Sequence, residues 1–262
     1  MGKKIVFCNC GGDRIERERL QSVEKILIDT GIDLIKISDL CGVSVLDREK
    51  LRSSFCVSDE YLVVACHLRA LKLLFEKAGI KTDDYSFKFI NFFVSDNDEI
   101  LSETNSFNNS IGIRQNPVIE EIRKSSDWAP WFPIIDYERC TTCGQCADFC
   151  LFGVYKKTEG KIIVINPQGC KNNCPACARI CPQTAIIFPK YKPGGAIGGS
   201  DEIDEVSEQK RQVEDINTLL NGDIYSALEQ RKKNRKSIIR DEAMNKAIQE
   251  RLDAIKKLDD YR

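Results

Sequence analysis

Histidine is almost missing from this chain: His67 is the single one among 262 residues. Sites built on several imidazoles are therefore excluded, including His-rich zinc hydrolase centres, the facial triad of non-haem iron and bis-histidine haem. Ser-His-Asp and Cys-His arrangements lose their base for the same reason, and no paired-carboxylate constellation can be identified. An excess of one charge is also lacking. The chain has 39 Lys+Arg against 40 Asp+Glu, a formal net charge of −1, which excludes a polybasic nucleic-acid or membrane-surface protein. No run approaches the roughly 18 consecutive apolar residues that span a bilayer. At the start, Lys3-Lys4 leads into Ile5-Val6-Phe7, an apolar stretch too short for a signal peptide. Val6 stands where a myristoylation signal would have Ser or Thr. A cytoplasmic protein is expected.

Cysteine is abundant instead. Thirteen of them, an odd number, in a chain expected to be reduced, point to metal ligands rather than disulfides.

Three compositional parts follow one another. Residues 1–95 alternate short apolar strands with helices. Lys4–Phe7, Asp33–Ile37, Tyr61–Ala65 and Ser86–Val94 read as strands. Arg14–Thr30, Val45–Phe55 and Leu68–Ala78 read as helices, the first and last stopping at Gly31 and Gly79. This β-α-β-α-β-α-β order predicts a small parallel α/β domain. Residues 96–133 are rich in Asn and Ser and end in Trp128-Ala129-Pro130-Trp131-Phe132-Pro133, a linker with an aromatic anchor. Residues 134–190 hold eight of the cysteines. Residues 191–262 open on Gly194-Gly195-Ala196-Ile197-Gly198-Gly199-Ser200, read as a flexible joint, and continue as a highly charged tail. The glycine run has no Lys before Ser200 to reach a phosphate, so it is not a phosphate loop. In the tail, Ile203, Val206, Val213, Ile216 and Leu220 lie near one helical face. Such a stripe is stable only when buried against something, so the tail is expected to dock on a partner subunit. Its basic run Arg231–Lys236 sits among acidic residues and reads as a solvated or partner-facing side, not as a nucleic-acid site.

The chemistry lies in the cysteine spacing. Cys140-Thr141-Thr142-Cys143-Gly144-Gln145-Cys146-Ala147-Asp148-Phe149-Cys150 is a C-x2-C-x2-C-x3-C run. Cys170, Cys174, Cys177 and Cys181, followed by Pro182, form a C-x3-C-x2-C-x3-C-P run. Three closely spaced thiolates wrap one [4Fe–4S] cluster, and the fourth cysteine of such a run ligates the other cluster. On that rule Cys140, Cys143, Cys146 and Cys181 hold one cluster, and Cys170, Cys174, Cys177 and Cys150 hold the second. A pair of zinc ribbons is the alternative, but those carry paired C-x2-C units with a long spacer. The two runs resemble the bacterial-type two-cluster ferredoxins over residues 134–190. Between them, Val154-Tyr155-Lys156 and Ile162–Ile165 flank Thr158-Glu159-Gly160, a hairpin signal. The second run has one extra residue between Cys170 and Cys174, and Leu151 follows Cys150 where proline is common.

Five cysteines remain. Cys8 and Cys10 follow the first predicted strand, Cys41 the second, and Cys66 ends the third. In an open parallel sheet that is the edge where ligands bind. The pattern Val6-Phe7-Cys8-Asn9-Cys10-Gly11, Leu40-Cys41-Gly42 and Leu62-Val63-Val64-Ala65-Cys66-His67 resembles the N-terminal module of the flavoprotein subunit of heterodisulfide reductase. That resemblance implies a third iron–sulfur cluster held by Cys8, Cys10, Cys41 and Cys66. A zinc site and four small buried thiols are the other readings. The flavoprotein's G-x-G-x-x-G fingerprint does not follow here, so FAD is not expected. His67 reads as an outer-sphere donor or helix-start residue, and Cys56 as a core or surface thiol.

The expected architecture is a small parallel α/β domain, an α+β ferredoxin-like domain and a helical C-terminal extension. The expected function is an iron–sulfur electron-transfer subunit of a larger oxidoreductase. Its partners would be a catalytic subunit bearing flavin, molybdenum or tungsten, or another cluster, and an external electron carrier. The alternative is a redox-sensing or assembly adaptor. Each oxidised cluster with its thiolates adds about −2, so the loaded protein is an acidic carrier.

Overall fold

The computed structural model describes residues 2–108, 116–212 and 249. The chain divides into two units, Met1–Gln212 and Val213–Arg262, and the tail expectations beyond residue 212 lie outside the described residues.

The first unit begins with a five-stranded parallel sheet in the order β4-β3-β1-β2-β5. Its strands are β1 (Lys3–Cys8), β2 (Asp33–Ile37), β3 (Glu60–Ala65), β4 (Ser86–Asn91) and β5 (Ile119–Ile122). The period-two alternation of each strand sorts its side chains between two cores. Ile5, Phe7, Leu34, Leu62 and Val64 pack on α1 (Arg17–Asp29) and α5 (Asn97–Asn108). Val6, Cys8, Ile35, Ile37 and Val63 face α2 (Leu40–Leu46), α3 (Arg48–Ser53) and α4 (Leu68–Lys77). Burying both faces is what a parallel sheet requires.

Two expectations change here. The segment 96–133 is not a bare linker, because it supplies α5 and β5. The helix buries only Ile100, Thr104 and Phe107, a stripe hidden by polar neighbours. The strand, Ile119-Glu120-Glu121-Ile122, lies at the sheet edge and buries only Ile122. The second helical stretch starts at Leu40 rather than Val45. The Asp39 carboxylate accepts from the Gly42 N–H at 3.3 Å, an N-cap that places Cys41 in the first helical turn.

The cysteine-rich part follows. β6 (Ile134–Ile135) pairs antiparallel with β9 (Ile186–Ile187), and β7 (Tyr155–Thr158) forms the expected hairpin with β8 (Lys161–Val164). Two short helices, α6 (Gln145–Phe149) and α7 (Ala176–Arg179), complete it. Ile135, Ile162, Ile186 and Ile197 form its core with Trp131, Phe188, Cys146 and Cys177. The glycine run is a packed turn, not a flexible joint. Ala196 and Ile197 of α8 (Gly195–Gly198) are buried, and the Phe188 N–H donates to the Ile197 carbonyl at 2.7 Å. At Gly199 (φ +94°) a Cβ would stand 2.8 Å from the Ala70 Cβ, so glycine lets this turn close onto α4.

Arg69 ties the two parts together. Its Nε donates to Asp136 at 2.8 Å, Nη2 to the Thr184 carbonyl at 2.8 Å and Nη1 to the Ala196 carbonyl at 3.3 Å. The Asp201 carboxylate in turn accepts from the Arg69 backbone N–H at 2.7 Å, capping α4.

Candidate metal centres

The first cysteine run turns sharply. Gly144 adopts φ +82° at the start of α6. Among the described residues, the non-glycines with positive φ are Thr142, Asn173 and Thr184, each beside or close to a cysteine of the two runs. A β-branched residue there is strained, and such strain persists where the surroundings impose a functional geometry.

The thiols gather around two cavities. One is lined by Cys140, Cys143, Cys146 and Cys181. The other is lined by Cys150, Cys170, Cys174 and Cys177. Each cavity thus takes three thiols from one run and the last thiol of the other run. Ile135, Ile162 and Ile186 wall the first, and Phe149, Phe152 and Tyr155 wall the second. Among the described residues, no three Cys, His, Asp or Glu side chains converge closely enough to enclose a single metal ion. The Ala185 N–H donates to Cys181 Sγ at 3.3 Å, and the Tyr155 hydroxyl donates to Cys177 Sγ at 3.0 Å.

The N-terminal thiols meet where strand order reverses. β2 lies on one side of β1 and β3 on the other, and the crevice beyond their carboxyl ends is the ligand position of such sheets. Cys8 and Cys10 place their sulfurs 3.6 Å apart, and the Leu40 N–H donates to Cys8 Sγ at 3.4 Å. Cys41 lies within electrostatic reach of Cys10 and Cys66. Two cations flank the group. Lys190, from the cysteine-rich part, pairs with Asp39 at 2.6 Å and interacts with Cys41 and Cys10. Arg14 stacks on Phe93 at 4.2 Å and interacts with Cys66. Its buried Nη1 has no hydrogen-bond partner among the described residues. Sequence reading misses both cations, because each acts on thiols from segments distant along the chain. His67 immediately precedes α4 and its Nδ1 lies 2.9 Å from Asn91 Nδ2. Burial lowers its pKa, which keeps it neutral. Cys56 is an exposed thiol beside Ser58.

Burial, first, and the neighbouring thiols push Cys66, Cys170 and Cys177 up to about 12 and Cys146 to about 11, against an ordinary 9.0. Metal binding must therefore release protons. In the metal-free chain the folded state holds these protons more tightly than the unfolded state. Their contribution to stability is full below pH 9 and fades as pH rises toward 12. The denaturation midpoint of metal-free protein should fall across that window, and a flat profile would contradict the burial of these thiols.

Comparison with known proteins agrees with this chemistry. Residues 133–153 match the 4Fe-4S binding domain family. An uncharacterized ferredoxin of Methanocaldococcus jannaschii is 45% identical over 74 residues, covering 28% of this chain and 50% of that protein. A second uncharacterized ferredoxin of the same organism is 40% identical over 63 residues, covering 23% of this chain and 80% of the relative. The chain belongs to the ferredoxins. Another relative in that organism, the pyruvate synthase subunit PorD, is 35% identical over 63 residues, covering 24% of this chain and 72% of PorD. The ferredoxin likeness thus occupies about a quarter of the chain, and the chain spans about half the length of the first of these relatives. No solved structure matches. Among the described residues, no helix is long and apolar enough to cross a membrane.

Proposed function

We propose that this ferredoxin is an electron-transfer subunit of a larger cytosolic oxidoreductase, with two [4Fe–4S] clusters in residues 134–190 and a third in residues 1–95. Cys140, Cys143, Cys146 and Cys181 hold the first, and Cys170, Cys174, Cys177 and Cys150 the second. Cys8, Cys10, Cys41 and Cys66 hold the third. The observation that carries this reading is the sorting of the eight thiols into two cavities, each closed by the last cysteine of the other run. A cubane with four thiolates has no open iron and exchanges one electron.

The remaining residues fit that role. Cys146 and Cys177 share one core, which brings the first two sites together. Trp131 donates to the Cys174 carbonyl at 3.5 Å and, with Phe132 and Lys190, lines a crevice that reaches Cys41. For the third site, Arg14 and Lys190 supply the positive charge that a dianionic cluster needs in a buried place, and the orphaned Arg14 Nη1 is a donor suited to such a group. PorD's name as a synthase subunit supports a place in a multi-subunit enzyme. The tail, residues 201–262, would dock the catalytic subunit, bearing flavin, molybdenum or tungsten, or iron–sulfur. An adaptor with structural clusters is the second reading.

Serine at Cys181 should remove the cluster of the first run, although Cys181 belongs to the second. Serine at Cys150 should do the reverse. EPR of the two reduced variants distinguishes the lost signals, and loss of the run-matched cluster in each would overturn the exchange of ligands. Deleting residues 213–262 should release the catalytic partner in co-purification while leaving the ferredoxin clusters; retained assembly would refute the docking role.

A further inference from the structure

The two cysteine cavities of the ferredoxin part are not equivalent. Cys177 accepts a hydrogen bond from the Tyr155 hydroxyl at 3.0 Å, whereas the donors to sulfur in the other cavity are backbone amides, Ala185 on Cys181 at 3.3 Å and Ala147 on Cys146. Tyr155 opens β7, and its ring packs in the core that also contains Cys146 and Cys177. It therefore stands at the junction of the two sites while directing its hydroxyl to one. That cavity also borders the α/β domain. Cys170 packs on that domain's core as well as its own, and Trp131 joins the Cys174 backbone to the crevice at Cys41. Both sites have an exposed side, at Cys143 in the first and at Phe149, Leu151 and Phe152 in the second.

We infer that Tyr155 biases the electron toward the site of Cys150, Cys170, Cys174 and Cys177, the site that Trp131 joins to the crevice at Cys41. This rests on the two-cluster reading above. A hydroxyl donating to a thiolate withdraws electron density from it and stabilises the site more when it carries the extra negative charge. Tyr155→Phe keeps the ring in the core and removes only that donor. No proton or second reactant is required, since one electron moves from one site to the other.

The test is an EPR-monitored potentiometric titration of the anaerobically purified full chain, wild type against Tyr155→Phe. The Cys174→Ser protein identifies which signal belongs to the second site. The second site's potential should become more negative, with its reduced-to-oxidised ratio at fixed solution potential falling roughly tenfold. The first site's potential should stay where it is. Electron–nuclear double resonance in deuterated buffer gives a check that needs no folded variant. Wild type should show a strongly coupled exchangeable deuteron on the second site. Unmoved potentials, an equal shift of both, a shift of the first site alone or absence of the deuteron would overturn the inference. Wild-type protein with fewer than about eight irons would instead overturn the two-cluster reading.

Discussion

Serine at Cys66 should lower the iron content of anaerobically purified protein from about twelve atoms per chain to about eight, with acid-labile sulfide falling in step. The number follows from the placement of the thiols. Cys66 directly follows β3 and is the sole thiol brought to the switch-point crevice by that strand. Cys8 and Cys10 come from the end of β1, and Cys41 from the first turn of α2. Removing Cys66 leaves three sulfurs from the other two strand ends and an open corner beside Arg14. Serine is smaller and polar, and α4 begins two residues later with its own cap from Asp201, so the fold and the eight ferredoxin thiols are expected to persist. Iron that stays near twelve would mean that Cys66 is no ligand. Iron near eight in both wild type and variant would leave the N-terminal thiols without a cluster.

Replacing Arg69 with methionine should destabilise the protein by about 3–5 kcal/mol. The guanidinium satisfies the Asp136 carboxylate and two carbonyls from different turns of the ferredoxin part. Arg69 and Asp136 side chains are only 11% and 10% exposed. Methionine would keep most of the volume but leave a buried carboxylate without its counter-ion. The denaturant midpoint of the loaded protein should fall, and Arg69→Met combined with Asp136→Leu should recover a large part of the loss, because the cost lies in the unpaired charge. A single variant within about 0.5 kcal/mol of wild type, the range of ordinary surface changes, would show that the clamp does not hold the two parts together.

Much of this arrangement is legible in local pattern. The apolar runs Lys4–Phe7 and Tyr61–Ala65, the alternation in Asp33–Ile37 and the helical stripe of Leu68–Ala78 correspond to observed elements, because strands buried on both sheet faces read as near-continuous apolar runs. The hairpin around Glu159-Gly160 is equally plain. The fifth strand is not, since an edge strand reading Ile-Glu-Glu-Ile has no such burial to advertise. The glycine run reads as a joint because composition reports freedom in the unfolded chain, whereas Gly199 is there for close approach to Ala70. At the candidate sites, spacing alone yields the grouping of cysteines. Lys190, Arg14 and Tyr155 are invisible to it, because their proximity to sulfur arises from tertiary packing across long sequence separations.

On the proposed reading, the cysteines of this ferredoxin hold redox-active clusters through which single electrons pass. Coulometric reduction of the anaerobic full chain tests it most directly, since a zinc site takes up no electron and each cubane takes up one. About three electrons per chain are expected, of which about two remain in the Cys66→Ser protein. Uptake of no electrons by protein with its metal in place would contradict it.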